Sequence, residues 1–195
     1  EFDKRTRVQL QNMISQFYKE IYGDEYYDGE NIQEFLRYVI GTIYSEPVDT
    51  SRTYYENEVF KIINNTIQED DYDDVLTLIE AIIQYWDLYL RDVRGYDYYN
   101  AYDNSYRSRS IYEIANSYLQ REYVGYRFID EQLTPISDDY ELEAVKQALN
   151  NPYSPVYEHL SKANKLLGDR TAPDYENSIK ESISAVEALC EILTG

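Results

Sequence analysis

The residues able to do chemistry in this 195-residue chain are few and far apart. The single histidine, His159, stands beside Glu158 on a helical stretch, where it could titrate near neutral pH or ligate a metal. A zinc site takes three or four ligands, and no second His or Cys stands at ligand spacing, so a helix-surface histidine is the simpler reading. Cys190 is the only cysteine. It falls on an apolar seam, where a small packed side chain is more common than a nucleophile. Glu69, Asp70, Asp71, Asp73 and Asp74 could collect a hard cation, but they lack the alternating acids and central Gly of an EF-hand. The positive end of a helix explains them more simply. Glu181 and Glu187 lie off the apolar seams of the last helix and are the weak catalytic candidates; a solvated face is the simpler account of them. No Gly-rich phosphate loop, nucleophile elbow or His-Glu-x-x-His pair occurs. The chain as given therefore assembles no active site, and no cofactor or metal is expected.

One constellation points to nucleic acid. Six of the eleven arginines, Arg91, Arg94, Arg107, Arg109, Arg121 and Arg127, fall in one stretch interleaved with tyrosines. Arginine with aromatics holds single strands by charge and stacking. Asp97, Asp103 and Glu122 dilute the patch, which favours a solvated helix face. Tyrosine itself is abundant, at 24 residues against five Phe and one Trp. The cluster Tyr96, Tyr98, Tyr99, Tyr102 and Tyr106 reads either as a recognition surface or as compositional drift.

The elements that must position these groups are mostly helical. Apolar residues at helical spacing predict helices over 2–22, 28–44, 51–67 and 70–93, the last carrying Val75, Leu78, Ile79, Ile82, Ile83, Trp86 and Leu90. Residues 94–110 read as a loop or frayed segment, and a helix resumes over 111–123. Residues 126–129 and 133–136 form two short runs around Asp130-Glu131-Gln132, a small hairpin that Pro135 confines to an edge. Three helices follow. Asp138 and its neighbours cap the first, the second ends at Gly168, and Pro173 suits the first turn of the third. In that last helix Ile179, Ile183, Val186, Cys190 and Leu193 recur at spacings of four and three. Ser178, Ser182, Ala185, Leu189 and Ile192 repeat the rhythm one position earlier. Two seams imply two partners. One is the preceding helix; the other, engaging Ile179, Ser182, Ile183, Val186, Cys190 and Leu193, is a second copy of the chain or sequence that follows it. The fold class is thus all-α, a multi-helix bundle with one short β-hairpin near 126–136. Its expected domains are 1–124, a 125–137 connector and 138–195.

The formal net charge of -19 repels nucleic acid unless a basic patch is segregated from it. No run approaches the roughly 20 apolar residues that span a bilayer. A lone cysteine suits a reducing cytoplasm. The chain opens at Glu1-Phe2 with no methionine, as a trimmed chain would.

The stretches GYRFIDEQLTPIS (125–137), EHLSKANKLLGDR (158–170) and PDYENSIKESISAVEALCEILTG (173–195) resemble the AbiJ-like bacterial abortive-infection proteins. The resemblance is carried by 125–195; before that, only the helical pattern agrees. It implies an all-helical sensing region fused to a HEPN-type (higher eukaryotes and prokaryotes nucleotide-binding) ribonuclease domain. The helices from about Asp138 would open that bundle. It also implies antiphage defence, a homodimer, a phage-derived trigger, and RNA as a partner only through the full-length effector. Such nucleases use an Arg followed four to six residues later by His. His159 has no arginine at that spacing, so the catalytic helix is expected beyond Gly195. In that arrangement Glu181 or Glu187 would orient the Arg. The charge supports a rival: a self-contained acidic binding module, an antitoxin or nucleic-acid mimic.

Overall fold

The computed structural model describes residues 2–23, 29–92, 110–136, 138–170 and 172–194. Among them are eight α-helices, one π-helical turn and one two-stranded antiparallel hairpin, so the fold is all-α with a short hairpin. The chain divides into two compact units, Glu1–Ile111 and Tyr112–Gly195.

The first unit contains α1 (Lys4–Tyr22), α2 (Glu30–Tyr38), α3 (Glu56–Glu69) and α4 (Tyr72–Asp92). Asp3 caps α1 by accepting a 2.7 Å bond from the Thr6 amide, and that bond holds its carboxyl below the usual range. Arg7 reaches from α1 to the end of α3, where its guanidinium donates to the carbonyls of Ile67 at 2.7 Å and Asp70 at 2.9 Å. Those carbonyls are orphans of a helix C-terminus, where a cation is also favoured by the dipole.

The predicted helix over 28–44 departs from the α form at its end. Val39–Ile43 widens into a π-helical turn, with the Tyr44 amide donating to the Val39 carbonyl at 3.1 Å. A Cβ on Gly41 would lie 2.6 Å from Val48, so glycine there lets the following chain pass against the turn. Gln33 then ties that chain down: its side chain donates to the Tyr54 carbonyl and accepts from the Tyr54 amide, both at 2.9 Å. The predicted start at 51 moves accordingly to Glu56.

At the centre of this unit Phe35 is fully buried, with ring centroids of Trp86, Tyr85, Tyr18 and Tyr22 at 5.1, 5.5, 5.8 and 5.9 Å. Part of the tyrosine excess is therefore core. Burial, with Tyr85 and Tyr89 nearby, pushes the Tyr22 phenol far above its ordinary range, and burial lifts Tyr85 to about 12.

The second unit begins in α5 (Ile111–Arg121) and continues through β1 (Arg127–Ile129), β2 (Gln132–Thr134), α6 (Asp139–Leu149), α7 (Ser154–Gly168) and α8 (Tyr175–Thr194). The helix 111–121 thus groups with the hairpin and not with the helices before it. The strands pair Arg127 with Thr134, Phe128 with Leu133 and Ile129 with Gln132. The connection is a two-residue turn, Asp130-Glu131, both at positive φ (48° and 68°), so Gln132 belongs to the strand. Such turns match the strand twist but favour Asn-Gly.

An isolated hairpin is marginal, and this one is held from both sides. On one side the Asn116 amide of α5 accepts from the Phe128 amide at 2.7 Å and donates to its carbonyl at 3.0 Å. On the other, Asn164 of α7 accepts from the Thr134 hydroxyl and donates to the Ile129 carbonyl, both at 2.9 Å. Asp130 accepts from Tyr157 at 3.0 Å and from Ser161, which anchors the strained turn to α7.

Candidate functional site on the last helix

α8 starts two residues later than the proline pattern predicts. Pro173 precedes the helix, and Asp174 caps it by accepting from the Asn177 amide at 3.0 Å. That bond lowers the Asp174 carboxyl. One side of α8 lies on α7. Ser178 and Ala185 are buried there, and the Ser178 hydroxyl donates to the Ala163 carbonyl at 2.9 Å. Small residues on both helices let the backbones approach. The predicted inner seam is narrower than its spacing suggests, because Ser182 and Ile192 stay exposed.

The other seam faces solvent. Ile179 is 62 % exposed, Ile183 54 %, Val186 61 % and Leu193 69 %, and Cys190 is exposed as well. Single exposed apolar residues are ordinary, whereas these form a contiguous stripe along one helix. All six residues expected to engage a second partner, Ser182 included, are on the surface.

Glu181 does not stand free. It lies between α8 and α7, with one carboxylate oxygen 2.7 Å from His159 Nδ1 and the other paired with Lys162. Lys162 first, and His159 second, hold its carboxyl below the usual range. His159 and Glu181 thus form an interhelical clamp, 22 residues apart and invisible to any local motif. Glu187 is exposed, one turn beyond Ile183.

Three of the six arginines, Arg91, Arg121 and Arg127, fall within the described residues. Arg94, Arg107, Arg109 and the Tyr96–Tyr106 cluster lie outside the described residues. Arg91 pairs with the buried Asp87 at 2.5 Å, and Arg121 pairs with Glu122 at 3.1 Å and covers the Tyr118 ring. Arg127 is buried; its guanidinium donates to the carbonyls of Val124 and Tyr126, and burial lowers its pKa. Each of these three arginines has a partner within its own unit.

Sequence reasoning missed two features. The Asp130–Tyr157–Ser161 contact joins residues 27 and 31 apart. An open cleft in the first unit is lined by Ser15, Tyr18, Tyr55, Glu56, Asn57 and Phe60, of which the exposed Tyr55 at the start of α3 was the one local signal. Among the described residues no group of three or more His, Cys, Asp or Glu is placed to hold a metal ion, and no helix is long and apolar enough to cross a membrane.

Fold and surface define an all-α protein of two compact units with an exposed apolar stripe on its last helix. The model of the family described as AbiJ N-terminal domain 4 matches residues 1–151, and the chain belongs to that family. It is accordingly an abortive-infection protein family member. The match takes in the first unit, the hairpin and α6; α7 and α8 lie past it. No curated protein and no solved structure matches the chain.

Proposed function

We propose that this chain is the sensing and regulatory part of an antiphage abortive-infection protein, and that it controls a HEPN-type ribonuclease effector. The observation that carries this reading is the apolar stripe of α8, exposed on a helix whose opposite side is already packed. In this reading the helices from Asp138 onward open the effector bundle. A phage-derived trigger alters packing in the first unit, and α8 passes the change to its partner, a second copy or a covalently following HEPN domain. RNA is reached only through the effector, and the single cysteine suits work in the cytoplasm.

The test is phage challenge of cells expressing the whole protein, as wild type and as the double variant Ile183→Glu, Val186→Glu. Protection is expected to disappear while the purified variant keeps its helical signal. Equal protection by the variant overturns the reading. The charge of -19 favours a second reading, an acidic module that occupies a basic partner. Under that reading capture of the partner survives the α8 substitutions and is lost as salt rises.

A further inference from the structure

The open cleft of the first unit is lined by chemistry of one kind. It lies between α1 and the start of α3, with a volume of about 540 Å³, in the size range of ligand sites. Its apolar walls are rings. Tyr18 and Phe60 stand 4.8 Å apart at 73°, which makes a corner, and the exposed Tyr55 adds a third ring. Its polar side chains all offer an accepting oxygen: the Glu56 carboxylate, the Asn57 amide and the Ser15 hydroxyl. Aromatic rings and oxygen acceptors, with no basic side chain among the lining residues, select a cation.

The chain itself twice holds a cation in this way. Arg52 lies over the Tyr54 ring, its guanidinium carbon 5.1 Å from the centroid, and pairs with Glu58 at 3.0 Å. Arg121 lies over the Tyr118 ring at 4.5 Å and pairs with Glu122 at 3.1 Å. In both cases a tyrosine ring underlies the guanidinium and a glutamate takes its N–H groups. Tyr55 and Glu56 bring the same two groups to the cleft, and no arginine of the described residues lies on them.

We propose that this cleft binds an arginine side chain presented by a basic segment of the trigger. The inference rests on the reading of the first unit as the sensing part and adds the site and the chemistry it recognises. Arginine suits the cleft better than lysine. Its planar guanidinium stacks on rings, sheds water more readily than an ammonium, and carries five N–H donors for the three acceptors. The net charge of -19 draws a basic segment in from solution. The Tyr18 ring that lines the cleft also belongs to the core: it lies 5.8 Å from Phe35, which lies 5.1 Å from Trp86. An occupant therefore touches the packing at the centre of the unit.

Calorimetric titration of the whole protein with an arginine-containing Gly-Ser peptide, at physiological salt, tests the proposal. The arginine peptide is expected to bind, and its lysine counterpart to bind more weakly. The citrulline counterpart, which keeps the plane and loses the charge, is expected not to bind. Glu56→Gln is expected to weaken binding about tenfold, and Tyr55→Ala about fivefold. Tyr55 is exposed and Glu56 partly so, and an unchanged helical signal verifies the fold of both variants. Glu69→Gln removes the same charge at the far end of α3 and is expected to leave binding unchanged. Equal weakening by Glu56→Gln and Glu69→Gln means diffuse attraction to an acidic surface and overturns the cleft as the site. Equal binding of the citrulline peptide overturns the cation as the ligand. If no arginine peptide binds while the Ile183→Glu, Val186→Glu variant still loses phage protection, the regulatory reading stands and this inference falls.

Discussion

In the Glu1–Ile111 unit α4 buries ten residues along its length, from Val75 to Leu90, whereas in the Tyr112–Gly195 unit α6 buries none and α8 only Ser178 and Ala185. The helices are of similar character, since α4 and α8 both carry apolar residues at three- and four-residue spacing. What differs is how many neighbours each has. The first unit closes its apolar faces around Phe35 and Trp86. The second closes its hairpin thoroughly and leaves the outer face of α8 open. A helix whose stripe is satisfied is a structural part, and one whose stripe is exposed has surface left for a partner.

The largest expected contrast comes from truncating one residue on each side. Phe35→Ala should cost about 3–5 kcal/mol of stability in the first unit, because a fully buried ring leaves a cavity among four aromatic neighbours. Ile183→Ala should change the stability of dilute protein by no more than about 0.5 kcal/mol, because its side chain already meets water. Urea unfolding followed by circular dichroism measures both, and equal costs would abolish the distinction. Within the second unit, Asn116→Ala should cost about 2–3 kcal/mol, since the buried amide and carbonyl of Phe128 both lose their partner. Faster hydrogen exchange confined to 127–134 would locate that loss.

The units should also fail at opposite ends of the pH scale. An unfolded tyrosine ionises near 10, and burial raises Tyr22 and Tyr85 above that. Their contribution is complete below pH 10 and declines as the pH rises beyond it, so alkali should loosen the first unit. Glu181 is lowered from 4.5 by Lys162 and His159. Its contribution is present above that value and fades as acid protonates the folded carboxylate, so the α7–α8 contact should weaken at low pH. Glu181→Gln should flatten the acid limb and leave the alkaline limb unchanged in an unfolding titration. A small gain is expected as well: Glu131→Gly relieves a positive φ in the hairpin turn and should add about 0.5–1 kcal/mol to thermal stability.

Much of this architecture was legible because its cause is local. The stripe Val75 to Leu90 announces a buried helix, and the 4-3 rhythm from Ile179 announces a seam needing a partner. The hairpin was legible from two β-prone runs, though its turn looked one residue longer than it is. What escaped depends on distant approach. Val48 passes against Gly41 within the π-helical turn, and α3 starts after a stretch whose Tyr54 backbone Gln33 holds. The clamp of His159 on Glu181 and the grip of Tyr157 and Ser161 on Asp130 join residues separated by helices and turns. Glu181 shows the consequence for site reading: as a letter it was a spare carboxylate, but in the fold both its oxygens are engaged.

The chain has one tryptophan, and Trp86 lies fully buried in the first unit, edge-on to Phe17 and tilted over Phe35, with Tyr85 adjoining the same ring. Its indole emission therefore reports on the packing of that unit. Light absorbed by the surrounding tyrosines drains into it. A blue-shifted emission band that moves red during a titration dates the opening of the first unit. The protein thus carries a built-in lamp in the unit proposed to sense infection, while the helix proposed to report it holds no tryptophan.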